Sequence, residues 1–131
     1  MLGQTNKDLT EEKITLVNAG VNLQAVKMPG AENCKMQELL TAAQKAPNFS
    51  MRFFEVEPLG HTPFHSHPWE HEIYVLKGQG SLKTDGEDIP FGESQAILVP
   101  PNTKHQFFNS GKEPLQFICL IPNNVSYQTE N

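Results

Sequence analysis

Four of the five histidines in this 131-residue chain fall into two groups: His65-Ser66-His67 with His71 close behind, and His105 thirty-four positions further on. A neutral imidazole is a borderline ligand that suits zinc, copper, iron or nickel, whereas manganese usually wants some oxygen ligation. On a β-strand, residues two apart share a face. His65 and His67 therefore predict two rings aimed at one point, as a metal site requires. The alternative is a set of solvated surface histidines, since histidine is only intermediate in burial. The spacing, the Gly and Pro punctuation and the apolar run that follows favour the metal.

The elements that would position these rings are short. From Asn48 onward the chain reads as β-type runs separated by turns: Phe49 to Glu57, Glu72 to Lys77, Gly80 to Thr84, Ser94 to Val99, Gln106 to Asn109 and Leu115 to Ile121. The turn signals between them are Pro58-Leu59-Gly60, Lys77-Gly78, Asp85-Gly86, Pro90-Phe91-Gly92, Pro100-Pro101-Asn102 and Asn109-Ser110-Gly111, with Asp85-Gly86 a tight-hairpin pair. Strands at this spacing without a long amphipathic helix predict an all-β, antiparallel sandwich or barrel. In the last run Leu115, Phe117, Cys119 and Ile121 alternate with Gln116, Ile118 and Leu120, so the first set is expected to face the interior. Residues 1–47 read as a polar arm of the same domain with short strands at Ile14 to Val17 and Val21 to Val26. Asn33 to Lys45 fits either a helical turn or a strand. Residues 48–122 form the barrel and 123–131 a tail.

Composition narrows the function. There are 10 Lys and Arg against 15 Asp and Glu, a formal charge of -5, which leaves no basic stripe for nucleic acid. No apolar run approaches the roughly 18 residues of a membrane span, and MLGQTNKDLTEEK lacks the features of a signal peptide. Cys34 and Cys119 fit no zinc or redox spacing. A cytoplasmic protein with free thiols is expected, although a disulfide between the two is compatible with the sequence alone.

The segment from Gly60 through His65, His67 and His71 to Gly78 resembles the first signature of the cupin superfamily, in which a glycine precedes His-x-His, an acidic residue follows and a glycine closes the motif. Pro100-Pro101-Asn102-Thr103-Lys104-His105 with Asn109 resembles the second. The resemblance spans Asn48 to Pro122 and is close to small single-domain bacterial cupins whose site is built from histidine alone. It implies a jelly-roll barrel with His65, His67, His71 and His105 on one divalent transition metal, manganese or iron before zinc, nickel or copper. Two positions depart from the pattern. His71 stands where the family has glutamate, with Glu72 beside it. Parity favours His71, because 65, 67 and 71 share one sense of alternation continued by Ile73 and Val75, but Pro68 could break that register in favour of Glu72. Asn102 replaces a turn glycine, and asparagine tolerates the left-handed conformation.

Around such a metal, Phe107 shares the parity of His105, while Phe117 and Cys119 lie on the inner face of the last strand. Together they predict an apolar substrate pocket, although plain core packing describes the phenylalanines equally well and a buried inert thiol is the commoner fate of a cysteine. Arg52, in an otherwise apolar strand, would hold an anionic substrate group if it points inward; outward, the more usual arrangement, it is a surface ion-pair partner. Trp69 either shapes the cavity mouth or covers its outer wall. Glu70 and Glu72 orient imidazoles or are strand-edge charges.

Four neutral ligands leave a metal its full positive charge. The resemblance then implies a dioxygenase-like oxidoreductase acting on a small molecule. A non-redox lyase, cyclase or isomerase and a non-catalytic metal or ligand binder are the alternatives, since fold alone does not choose. Ordinary imidazole titration predicts that metal affinity falls below about pH 6. Unpaired strand edges and the polar arm predict a homodimer.

Overall fold

A computed structural model describes residues 14–123 and 125. The first thirteen residues and most of the 123–131 tail lie outside the described residues. Nine strands and one 3-10 turn follow in order: β1 (Gln24–Ala25), β2 (Glu32–Leu40), the turn Ala42–Gln44, β3 (Phe49–His61), β4 (His71–Lys77), β5 (Gln79–Lys83), β6 (Asp88–Gly92), β7 (Ala96–Val99), β8 (Gln106–Phe108) and β9 (Leu115–Pro122). All pair antiparallel, in the order β6-β5-β8-β3-β9-β4-β7, with β2 added to β3 and β1 to β2. The result is the curled all-β barrel that the residue pattern predicts.

β3 is the spine. Phe49 to Val56 pair with β9 on one side while β2 runs along the other, and His61 at its far end reaches β8. To serve both directions β3 must bend, and the chain does so at Leu59 (φ 69°) and Gly60. A Cβ on Gly60 would stand 2.7 Å from the carbonyl oxygens of Glu32 and Asn33, so only glycine fits where the two backbones close up.

Two rungs cross the interior of the sheet. Met36, Phe54, Phe117 and Val75 align on one, and Glu38, Arg52, Cys119 and Ile73 on the next. Leu115, Phe117, Cys119 and Ile121 are all buried, as the alternation of β9 requires. Asn109, fully buried, pins the β8–β9 connection: its amide donates to the Val56 and Glu113 carbonyls at 2.8 and 2.9 Å, and Gly111 N donates to its Oδ1 at 2.8 Å.

Several local expectations are corrected. Ile14 to Val17 forms no strand and is exposed, because strand propensity is a weak preference that tertiary context overrides. Of Val21 to Val26, only Gln24–Ala25 is strand, with Val26 N donating to Cys34 O at 2.9 Å just beyond it. The ambiguous stretch resolves into both options, a nine-residue strand and then a 3-10 turn capped by Thr41. Asp88–Gly92 is a strand although Pro90-Phe91-Gly92 reads as a turn. It is the outermost strand of the path, where a proline without an N–H is tolerated.

Candidate metal centre

The four histidines reach one point from three parts of the chain. His71 is the first residue of β4, paired with Val99 of β7. His105 immediately precedes β8 and makes an isolated bridge with His65, His65 N donating to His105 O at 3.1 Å and His105 N to His65 O at 2.9 Å. His67 lies in the loop that joins β3 to β4. His65 and His67 therefore do not converge by strand alternation, as their spacing suggests, because Pro68 and the loop intervene. They converge because that loop is stitched to its neighbours. Thr62 N donates to Phe107 O at 3.0 Å, Phe107 N to Thr62 Oγ1 at 2.9 Å, and Asn102 N to His67 O at 2.7 Å. Asn102 makes the last of these from a left-handed conformation, φ 64°, the geometry expected of it in place of glycine.

One ligand atom from each of His65, His67, His71 and His105 lies within 4.8 Å of the other three. Adjacent rings stand 4.6 to 5.1 Å apart and steeply inclined, so that edges rather than faces meet. The outward nitrogens are already committed. His67 Nδ1 donates to Trp69 O at 2.8 Å, and His105 Nδ1 donates to Thr103 O at 2.7 Å. His71 Nδ1 sits 3.0 Å from Cys119 Sγ. A proton on Nδ1 leaves the Nε2 lone pair pointing into the cluster.

That arrangement tests whether a metal fits. His67 Nε2 and His71 Nε2 are 2.8 Å apart, with Nδ1 of His67 already donating to a carbonyl. His105 Nε2 is buried with no hydrogen-bond partner among the described residues. Buried acceptors turned on one another are costly unless something positive lies between them. A cation satisfies all of them at once, and imidazole nitrogen is a suitable donor. The donor set fits a divalent transition metal.

The rings are prepared for this. Burial is the largest influence on each, holding His65 and His67 down to about 4 and lowering His71 and His105 as well. Neighbouring imidazoles and Arg52 add to the effect at His65, His67 and His71, while the carbonyls of Trp69 and Thr103 oppose it at His67 and His105. The site is neutral and ligand-ready far below the ordinary imidazole range, so proton competition in the folded protein begins nearer pH 4 than the pH 6 expected of free histidine.

Glu72 does not enter. It is exposed on the outer face of β4, opposite Leu98 and Leu120, and Glu70 is exposed as well. Trp69 is buried and stacked on the His67 ring at 4.4 Å and 9°, fixing that ring through its indole face as well as its carbonyl.

A cavity of about 340 Å³ opens onto His65, His71 and His105. Phe107, Phe117, Cys119 and Arg52 all line it. Phe117 and Phe107 also belong to the core, so packing and lining are here one role. Arg52 points inward and is buried, against the commoner outward arrangement. One guanidinium nitrogen is 3.0 Å from Cys119 Sγ, and the group lies 5.0 Å from the Phe54 ring centroid. Burial drives the Cys119 thiol upward against the opposing pull of Arg52. The wall that sequence reasoning missed comes from the arm: Gln24 to Met28, with Met36 and Glu38 of β2. The available signal was β2 itself, whose register carries Met36 and Glu38 onto the rungs of Phe54 and Arg52.

A curled antiparallel barrel with a histidine cluster lining an apolar cavity defines a class, and similarity to known proteins gives its name. Residues 52–121 match the family model described as the cupin domain, and the chain belongs to that family. It is similar to the solved polyketide cyclase RemF from Streptomyces resistomycificus, with 32% identity and a TM-score of 0.77 over 85% of this chain and 80% of that one. It is also similar to a glucose-6-phosphate isomerase of Thermococcus kodakarensis (34% identity, 49% of this chain, 37% of that protein). A third relative is a 1-methylthio-D-xylulose 5-phosphate methylsulfurylase of Rhodospirillum rubrum (30%, 54% and 46%). The match spans less than half the length of these two curated relatives. No helix among the described residues is long and apolar enough to cross a membrane.

Proposed function

We propose that this cupin is a metal-dependent enzyme of non-redox type, an isomerase or cyclase, that binds a small organic molecule in the cavity beside His65, His67, His71 and His105. The observation that carries the reading is the inward set of neutral imidazoles opening on an apolar cavity. Bound there, a divalent ion supplies Lewis acidity toward a substrate oxygen. The chain does the rest. Trp69, Thr103 and Cys119 hold the rings in one orientation, and Phe54, Phe107 and Phe117 keep bulk water from the reacting end.

Oxidation of the substrate is the competing reading. The relatives named above include a cyclase and an isomerase, which favours the non-redox one. Imidazole-only ligation also suits zinc, iron or nickel better than the manganese favoured from the family pattern. The test is turnover under strict anaerobiosis. Protein reconstituted with zinc, iron, nickel or manganese is offered a panel of ketoses, aldoses and β-polyketones. Isomerised or cyclised product is expected without oxygen, whereas turnover that requires oxygen and consumes it stoichiometrically would return the assignment to a dioxygenase.

A further inference from the structure

The sheet has an outer face as well as the inner one that meets the cavity. Across β7, β4, β9 and β3 the outward register sets Leu98, Glu72, Leu120 and Met51 on one rung. Ala96, Tyr74, Ile118 and Phe53 follow on the next, then Lys77, Gln116 and Glu55 on a third. Phe53 is buried, but Leu98 is 60% and Tyr74 47% exposed, and Met51, Ile118 and Leu120 are only half-buried. A groove of about 340 Å³ lies over β4, β7 and β9. Scattered exposed apolar side chains are ordinary, whereas a patch continuous across several strands marks an association surface.

The arm crosses the other half of this face. Gln37, opposite Phe53 in the β2–β3 register, clips it in place. Its Nε2 donates to Asn18 O at 3.0 Å, and Gly20 N donates to its Oε1 at 2.8 Å. A Cβ on Gly20 would stand 3.9 Å from the Phe53 ring. Beyond the clip, Ile14 and Leu16 are 92% and 91% exposed. One side of the molecule thus presents two apolar surfaces to solvent, the β7–β4 half of the sheet and the arm.

A second copy, turned about a two-fold axis along β9, brings each surface onto the other. That rotation exchanges β4 with β3 across the interface. Ile118 and Leu120 meet their own counterparts, and Lys77 falls opposite the partner's Glu55. A two-fold running across the strands would instead stack arm on arm and leave β7 bare. Ile14 to Val17, extended, span roughly 13 Å, more than the roughly 10 Å between packed sheets. Four strands at about 4.8 Å and three rungs at about 7 Å give the sheet part a footprint on the order of 300 Å². Two such footprints fall short of the roughly 1,000 Å² in total that a specific interface needs, so the arms must complete it. We propose that this chain pairs with a second copy through the outer face of β7, β4, β9 and β3, each arm laid on its partner's β7 and β4. The contact is face to face rather than edge to edge, and it does not depend on the metal.

Sedimentation velocity of the full chain should give a dimer across the micromolar range. Leu98→Asp and Leu16→Asp should each raise the dissociation constant at least about tenfold, since each sets a charge against an apolar surface. Lys77→Glu should weaken the dimer several-fold, and adding Glu55→Lys should restore it, because the two side chains meet across the axis. Far-UV circular dichroism should be the same throughout. A monomeric natural chain would overturn the proposal, whether the arm folds back on its own sheet or a different protein takes the face. So would an assembly larger than a dimer, or a dimer indifferent to Leu98→Asp or to Leu16→Asp. A Lys77→Glu variant as tight as the natural chain, or one that Glu55→Lys leaves unrepaired, would overturn it as well. Should Leu98→Asp fail to fold, Leu16→Asp decides, because Leu16 belongs to no strand.

Discussion

Removing the metal should make this protein acid-sensitive by an amount that follows from its buried imidazoles. His65 and His67 titrate near 4 in the folded chain against an ordinary 6.5. Between those values the unfolded chain binds protons that the folded chain refuses, so stability is complete above pH 6.5 and drains away as the pH falls toward 4. At pH 5.5 each such residue costs about 1 kcal/mol, and at pH 5.0 about 2 kcal/mol. The partial solvent contact of His65 trims its share. His71 and His105 shift in the same direction and add to the loss. A total of about 2–3 kcal/mol at pH 5.5 is a large part of the roughly 5–15 kcal/mol that holds a domain together. Urea unfolding of chelator-treated protein at pH 7.5 and 5.5, followed by the fluorescence of the single tryptophan Trp69 stacked on His67, measures this directly. Bound metal should move the acid transition downward, since it stabilises the folded state only. Metal-free stability equal at the two pH values, to within about 0.5 kcal/mol, would refute the claim that the four rings are buried neutral.

The other expectations concern single side chains. His71→Ala should weaken metal retention by at least about a hundredfold, while Glu72→Ala leaves it unchanged, because one lines the cluster and the other faces outward; elemental analysis after dialysis reads both. Gly60→Ala should destabilise the fold by about 2 kcal/mol or more, since its methyl would meet two backbone carbonyls at 2.7 Å, and the urea midpoint should fall without a change in slope. Asn109→Ala should cost about 2–4 kcal/mol in the same assay, because it strands the Val56 and Glu113 carbonyls and the Gly111 N–H.

Where local pattern and tertiary context agree, the fold is readable from residue order. β9 alternates cleanly because it lies between β3 and β4 with one face on the core, and that alternation alone identifies its inner residues. β6 is not legible in this way, because an edge strand accepts Pro90 and so carries turn residues. The ligands are legible for a reason that only partly holds. His71 does start a strand with the expected parity, but His65 and His67 are placed by hydrogen bonds from Thr62, Asn102 and His105, whose partners no spacing rule reveals. Arg52 shows the same limit. Its inward course depends on the register that sets it beside Cys119, a long-range fact absent from the local sequence. The arm's contribution to the cavity is likewise set by the β2–β3 pairing.

X-ray absorption spectroscopy of untagged, metal-reconstituted protein reads whether His65, His67, His71 and His105 together hold one divalent metal. We expect one ion per chain with imidazole scattering from four histidines, falling to three in His71→Ala. A protein that retains no metal after reconstitution, or one whose metal shows a carboxylate in place of the fourth imidazole, would contradict it.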